Sequence, residues 1–361
     1  NTSSHMVTSW HAWHAPGDLT ADTIFSEDPQ QLIGVEFTPD FKPNDLSRYR
    51  DSLDELQKLR FNWVIFTPSW KVTLSNGLPH LTPNQGNSLS FLDLANLVQL
   101  AKSKGFNVGI YPRLDFSADA ADWWQASQRD ALWWQEWYQQ YERFIISYAQ
   151  FGAKYEVDQL ILGGTDVAAS LPGALQTTPT NKGTPKNADQ LWKDLFQKIN
   201  QYYTGQLLWA LLADKGELPE YSFYDQTSGF YLQFQAPTDP NVYFDQQTVA
   251  DMLDNMLSGF HEKYAEKAFY AGLNAPSLTP GSFSCTSGDC LLSPRDSAYQ
   301  TSGADLEAQL IFYQDYLSVL GERPWIQGVS SRGFFPAVKL LDFSSSIYGK
   351  PAMEWIAAPS N

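Results

Sequence analysis

The sequence is short of the residues that most often bind metals. It has two cysteines and five histidines among 361 residues, and no histidine falls on a predicted strand. Cysteine and histidine side chains hold zinc and most other transition metals in proteins. We therefore expect this chain to use no metal and no cofactor. The histidines are His5, His11, His14, His80 and His261.

Missing motifs exclude several reaction classes. The sequence has no GxSxG nucleophile elbow, no phosphate-binding P-loop and no GxGxxG dinucleotide motif. No apolar run reaches the ~20 residues that a membrane-spanning helix needs. Basic residues are also scarce, with 24 Lys and Arg against 40 Asp and Glu, so the formal net charge is −16. Because such an acidic surface repels phosphate backbones, nucleic acid is not an expected partner.

The chain does have a regular alternation of short β-rich segments with longer helical patterns, as in parallel sheets built from βαβ units. A doubly wound sheet also alternates, but its first strand usually leads into a Gly-rich turn, and here that turn reads Glu36-Phe-Thr-Pro-Asp40. We therefore predict an α/β fold, a single-domain (β/α)8 TIM barrel. Its predicted strands are 32–40, 61–70, 107–115, 158–166, 206–214, 229–235, 268–274 and 326–334.

Few residues fall outside the predicted barrel. We interpret residues 1–6 as a scar from expression and residues 7–31 as a short N-terminal extension. Residues 32–361 then form the barrel, which is the expected catalytic domain. The helical pattern near 131–151 repeats aromatic residues at three- and four-residue spacing, which indicates core packing rather than a sugar-binding surface.

Acidic residues stand at the C-terminal ends of three consecutive predicted strands, at Asp115, Asp166 and Asp214. Barrel enzymes place their catalytic groups at this end, and glycoside hydrolysis needs two carboxyl groups that flank the bond. Adjacent strands lie about 4.8 Å apart, so neighbours can supply such a pair. Asp166 also follows two glycines, which would let a ligand approach the backbone. The alternative is that these aspartates cap helices or pair with Arg113.

Polar and aromatic side chains on the same strands are candidates for sugar binding. The chain is rich in rings, with 13 Trp, 18 Tyr and 22 Phe, and a flat ring gives a pyranose apolar contact. Trp70 and Trp209 are the predicted platforms, and the alternative for every candidate is packing in or near the core. The expected substrate-binding residues are Glu36, Trp70, Arg113, Trp209, Tyr231, Gln233, Asn274 and Arg332.

Three segments carry a resemblance to a known group of enzymes. Leu162-Gly-Gly-Thr-Asp166-Val is similar to an IGTE signature at the fourth strand, Tyr203-Thr-Gly-Gln-Leu-Leu-Trp-Ala210 to a segment entering the fifth, and Ser346-Ile-Tyr-Gly-Lys350-Pro-Ala352 to a closing GKPA helix. The chain thus resembles clan-A-type glycoside hydrolases, most closely the β-mannanase-like barrels of family 113. The resemblance implies that Asp166 takes the place of the acid/base Glu. It also implies that the seventh-strand nucleophile Glu is absent, since residues 268–274 have no carboxylate.

Two main interpretations follow. The favoured one is a glycoside hydrolase that cleaves an oligo- or polysaccharide with a pair of strand-end carboxylates. Asp166 is then the acid–base or nucleophilic group, and Asp214 is its preferred partner because Arg113 could pair with Asp115. The second is a non-catalytic carbohydrate-binding barrel derived from a glycosidase. A barrel lyase or isomerase would be a third, and it would need a metal or a lysine at a strand end.

The two cysteines predict a disulfide and an oxidising compartment. Cys285 and Cys290 close a tight loop between Gly- and Ser-rich flanks, as in secreted, cell-surface or periplasmic proteins. We expect titration of the denatured, unreduced protein to find no free thiol, and two free thiols per chain would contradict the disulfide. Because closing a small loop removes little chain entropy, reduction should lower global stability only modestly.

Overall fold

The computed structural model describes most of the chain. The described residues are 31–116, 120–213, 217–239, 245–283, 289–296, 303–337 and 342–357. The predicted expression scar and all of the N-terminal extension except Gln31 lie outside them, as do Asp214 and Cys285. The Cys285–Cys290 disulfide therefore stays a prediction. In the described part of the chain, no helix combines the length and apolar character needed to cross a membrane.

Eight parallel strands form a closed barrel, which confirms the predicted fold. In barrel order these strands are β1, β2, β5, β7, β8, β9, β10 and β11, and the last pairs with the first. Catalytic and binding groups of such a barrel lie at the C-terminal ends of its strands. The bounds are β1 (Leu32–Phe37), β2 (Trp63–Phe66), β3 (Ser69–Ser75), β4 (Leu78–Pro83), β5 (Asn107–Ile110), β6 (Arg113–Phe116), β7 (Gln159–Gly163), β8 (Gln206–Leu212), β9 (Gly229–Gln235), β10 (Ala268–Asn274) and β11 (Ile326–Phe334).

Helices pack against the outside of the barrel. Several begin where an Asp or Ser side chain accepts a backbone N–H, as Asp130 does from Trp133. Gly105 follows the second helix with a φ of 86°, the left-handed conformation in which glycine ends a helix. The helices are α1 (Leu46–Lys58), α2 (Phe91–Ser103), α3 (Ala120–Ala126), α4 (Ala131–Lys154), α5 (Ala188–Tyr202), α6 (Gln246–Lys263), α7 (Leu306–Gly321) and α8 (Pro351–Ala357).

Proline divides two of the predicted strands. The segment 61–70 breaks at Pro68 into β2 and β3, and the segment 107–115 breaks at Pro112 into β5 and β6. Proline has no N–H and a fixed φ, so it interrupts a ladder of backbone hydrogen bonds and turns the chain. β3 then pairs with β6 and β4 in a second, three-stranded sheet. Arg113 and Asp115 belong to that sheet and not to the barrel.

The hydrophobic core has an inner and an outer part. The outer part lies between the barrel and the helices, and it includes the aromatic side of α4, as expected. Buried side chains from alternate strand positions fill the barrel interior, which is how small barrels are packed. This inner cluster consists of Trp63, Ile65, Tyr111, Ile161, Leu208, Ala210, Tyr231, Ala268 and Tyr270.

Trp70 and Trp209 belong to the outer core, in contrast to their expected role as sugar platforms. Trp209 is 1% exposed, and its ring centroid lies 4.9 Å from that of Phe223 and 5.4 Å from that of Trp192. Trp70 is 6% exposed and packs at 5.3 Å against Phe144 of α4. Because protein covers both rings, neither presents a face to a ligand. Their strand positions point outward, to the helices.

We expect Trp209→Ala to lower the free energy of unfolding by about 3–5 kcal/mol, the cost of truncating a buried tryptophan. Leu132→Ala on α4 is the control, since Leu132 is 56% exposed, and it should change the value by less than about 0.5 kcal/mol. Urea unfolding followed by circular dichroism measures both. Equal stabilities for the two variants would show that Trp209 is not a core residue.

Candidate functional site

Seven of the predicted site residues line the C-terminal end of the barrel, a region called here the barrel mouth. Most lie in the last half of a barrel strand, and all are buried. Arg113 arrives from the second sheet, and Asp166 directly follows β7 in a short 3-10 helix, Thr165–Ser170. The seven residues are Glu36, Arg113, Asp166, Tyr231, Gln233, Asn274 and Arg332.

Glu36 and Arg332 form a fully buried ion pair across the neighbouring strands β1 and β11, where they are register partners. Arg332 Nε donates to Glu36 Oε2 at 2.8 Å, and Arg332 Nη2 donates to Oε1 at 3.2 Å. Tyr231 Oη also donates to Glu36 Oε2, at 2.6 Å. Burial and the Glu36 charge raise the pKa of Tyr231, so the phenol keeps its proton. These donors replace the water that Glu36 loses.

Asp166 is paired with Arg113. Arg113 Nε donates to Asp166 Oδ2 at 2.9 Å, and Nη2 donates to Oδ1 at 3.2 Å. The backbone N–H of Leu114 donates to Oδ2 at 3.2 Å. An ion-paired carboxylate can attack, take up a proton or bind a hydroxyl group, but it has no proton to give.

A third carboxylate, which sequence reasoning missed, joins the two arginines. Asp289 follows β10, and its Oδ1 and Oδ2 accept from Arg332 Nη1 and Nη2 at 2.9 and 2.8 Å. Its Oδ2 also lies 2.9 Å from Arg113 Nη2. Burial alone would raise the pKa of Asp289, but the two arginines lower it to about 2. One signal could have found this residue, because Asp289 is the one acid between Cys285 and Cys290 in a strand-end loop.

The barrel mouth is therefore a charged network in which some hydrogen-bond donors and acceptors have no partner among the described residues. Three carboxylates meet two guanidinium groups, a net charge of −1. Arg113 Nη1 has no hydrogen-bond partner among the described residues and lies 4.0 Å from Glu36 Oε1. Gln233 Oε1 and Asn274 Oδ1 are likewise buried and unpartnered within that part of the chain. Buried polar atoms without a partner are uncommon, and these three could each bond to a water molecule or a ligand.

The two glycines before Asp166 serve packing rather than ligand access. Both have positive φ, 92° at Gly163 and 78° at Gly164. A Cβ on Gly163 would lie 2.7 Å from the Trp209 ring, and one on Gly164 would lie 2.2 Å from Tyr111 Oη. The space that we expected to admit a ligand is thus filled by these two side chains. Tyr111 in turn accepts a hydrogen bond from Gln233 Nε2 at 3.3 Å.

Asp115 lies two residues beyond Arg113 on β6 and is partly exposed. Burial raises the pKa of Asp115, the hydrogen bond from Asn84 at 2.6 Å and the charge of Lys71 oppose that effect, and the charge of Asp166 adds to it. The preference for Asp214 rests on an expected Arg113–Asp115 ion pair. That expectation is wrong, because Arg113 pairs with Asp166. Asp214 itself lies outside the described residues.

The opposite end of the barrel offers a depression of about 1130 Å³. Strand starts such as Asn107, Gln206 and Ile326 line it, and its Asp158 is ion-paired with Lys102 at 2.8 Å. In barrel enzymes this N-terminal end serves stability, whereas chemistry takes place at the other end. Across the described ranges, no three His, Cys, Asp or Glu side chains are grouped so that they could hold a metal ion.

Comparison with protein-family models assigns the chain to a family. Residues 44–334 match the model of Glycoside Hydrolase Family 113. The chain belongs to this family. By sequence, no curated protein matches it.

Solved structures of this family share the fold. A GH113 β-1,4-mannanase complex superposes with a TM-score of 0.67 at 16% identity, covering 91% of this chain and 98% of the other. GH113 β-mannanase AaManA from Alicyclobacillus acidocaldarius, in complex with ManMIm, gives 0.66 at 18% identity, covering 91% and 97%. A family 1 β-glucosidase from Thermotoga maritima gives 0.52 at 11% identity, covering 91% and 96%. At these identities the likeness concerns the fold alone.

The low pKa of Asp289 predicts a pH-dependent contribution to stability. The value is about 2 in the folded chain and about 3.9 in an unfolded one, so the contribution is complete above pH ~4 and is lost as the pH falls through 2. Between pH ~5 and ~2, wild type should lose about 2 kcal/mol more unfolding free energy than Asp289→Asn. Urea unfolding at several pH values measures this, with exposed Asp51→Asn as the control. Parallel curves for wild type and Asp289→Asn would contradict the ion pairs.

Proposed function

We propose that this chain is a glycoside hydrolase that cleaves a glycosidic bond in an oligo- or polysaccharide at the barrel mouth. Membership of Glycoside Hydrolase Family 113 supports the proposal. The observation that carries it is a pair of carboxyl groups in unlike surroundings, Asp166 in an ion pair with Arg113 and Asp115 with a pKa that burial raises. Glycosidases use such a difference to make one carboxyl group an acid and leave the other ionised.

The two groups would have separate roles. Asp115, whose pKa burial raises, would protonate the oxygen of the leaving sugar. Asp166 would act as the ionised partner, either attacking the sugar or activating a water molecule. Asp115 is two residues from Arg113 on one strand, so its side chain is on the same face as the guanidinium group that holds Asp166. Asp214 stays an alternative partner for Asp166.

The seventh strand of the barrel contributes binding rather than acid–base chemistry in this proposal. β10 has no Asp or Glu, and it ends at the buried Asn274. An amide can orient a hydroxyl group, but it neither attacks as a carboxylate nor serves as a general acid. An extracellular setting is part of the same proposal, and it rests on the predicted disulfide.

We expect wild type to release reducing sugar from at least one member of a polysaccharide panel, with β-1,4-mannan included because of the family's mannanases. Asp166→Asn should reduce kcat by about 100- to 10,000-fold with the fold intact, since it removes the ionised carboxylate. Asp214→Asn tests the alternative partner, and Asp51→Asn is the exposed control. Full activity in Asp166→Asn would rule out this site.

The role of Asp115 predicts a dependence on the leaving group. Asp115→Asn should lose about 100-fold or more of its activity on oligosaccharides but much less on aryl-glycosides with acidic phenols, which leave without protonation. The variant should also lose the alkaline limb of the pH profile of kcat/KM, because that limb reports the acid. Equal losses on both substrate types would assign Asp115 to binding instead.

A carbohydrate-binding barrel without activity is the second candidate. The observation that favours it is that Glu36, Asp166 and Asp289 are all held by arginines in a buried network. Ion-paired carboxylates suit a binding site that needs no proton transfer. Glycan binding with no cleavage on the whole panel would establish this candidate and exclude the first.

A further inference from the structure

The carboxylate of Asp289 occupies a position that an external carboxylate could take. Arg332 uses Nε and Nη2 for Glu36, and it turns Nη1 and Nη2 toward Asp289. The contacts to Asp289, at 2.9 and 2.8 Å, are the two-pronged pairing that an arginine makes with any carboxylate. The contact with Asp289 thus shows that a carboxylate fits the Nη1 and Nη2 edge of Arg332.

Arg113 presents donors to the same position. Its Nε and Nη2 hold Asp166, while Nη2 also lies 2.9 Å from Asp289. Its Nη1 is buried and has no hydrogen-bond partner within the described part of the chain. An external carboxylate at this position, with its oxygens oriented differently from those of Asp289, could satisfy this remaining donor. An unsatisfied buried donor of a charged group is costly, so the pair favours an anion over a neutral group.

Of the three carboxylates, Asp289 is the one that lies outside the described strands and helices. Glu36 lies within β1, and Asp166 lies in the 3-10 helix that follows β7. Asp289 belongs to the loop after β10, where its neighbour Cys290 donates its N–H to Gln235 Oε1 at 2.7 Å. Exchange of this carboxylate therefore leaves the ion pairs between the strands in place.

We propose that Arg113 and Arg332 form a subsite for the carboxylate of an acidic sugar, such as a hexuronic acid unit, and that Asp289 holds this subsite until the sugar replaces it. The proposal deepens the proposed function, on which the choice of a sugar rests. Two buried acceptors without partners, Gln233 Oε1 and Asn274 Oδ1, lie on the adjacent strands β9 and β10. They would accept hydrogen bonds from hydroxyl groups next to the bound carboxylate.

Calorimetric titration with D-glucuronic and D-galacturonic acid, each beside its neutral parent hexose, tests the subsite. Wild type should bind the acids at least about tenfold more tightly than the neutral sugars. Asp289→Ala should raise the affinity for the acids by about tenfold or more relative to that for the neutral sugars, because an intramolecular competitor is gone. Asp51→Ala makes the same charge change at an exposed site and should behave as wild type.

Asp289→Asn keeps the size of the side chain and removes its charge, so it gives the same test if the alanine variant does not fold. Equal binding of acidic and neutral sugars in wild type and both variants would overturn the proposal, as would no binding of either acid. Cleavage of a neutral glycan without any preference for acids would support the proposed function and contradict only the subsite. Selective binding of acids without cleavage of any glycan would support the subsite and contradict the proposed function.

Discussion

The barrel mouth depends on the balance between two guanidinium groups and three carboxylates. Removing water from ions is expensive, and the cost is recovered only where each ion is paired and its hydrogen bonds are satisfied. Arg332 meets this condition through its register with Glu36, whereas Arg113 pairs with Asp166 but keeps Nη1 without a hydrogen-bond partner among the described residues. Asp289 then shares both arginines, so the state of each member depends on the others. Loss of Glu36 or Asp166 would leave one arginine with Asp289 as its main partner.

The prolines explain how Arg113 comes to lie within this network. Pro112 ends β5 and turns the chain into β6, so that Arg113 extends past the barrel toward Asp166 instead of facing inward from a strand. Pro68 makes the matching break, and the Arg113 N–H then donates to its carbonyl at 2.8 Å. The second sheet therefore places the charged Arg113 side chain at the barrel mouth. An uninterrupted strand would have placed Arg113 and Asp115 differently.

The barrel could be predicted because its signal is repeated along the chain, and the gathering of strand-end residues follows from closure. Glu36, Tyr231, Gln233, Asn274 and Arg332 meet because parallel strands present their C-terminal ends on one side. The position of a residue along a strand does not tell whether its side chain faces the barrel interior or the helices. Trp209 is a strand residue like Tyr231, but it faces the helices. The sequence pattern did not predict that Asp289 joins the network, because that depends on the path of a loop. It also did not predict that Arg113 pairs with Asp166 instead of Asp115, because that depends on the proline breaks.

The same geometry separates binding from bond cleavage. At the barrel mouth, Arg332 donates hydrogen bonds to the carboxylates of both Glu36 and Asp289. In the proposed function the proton donor is Asp115, whose pKa burial raises against the hydrogen bond from Asn84 and the charge of Lys71. The inner aromatic layer fills the barrel interior. A sugar carboxylate held by Arg113 in the proposed subsite would lie beside Asp166 and on the strand face that also carries Asp115.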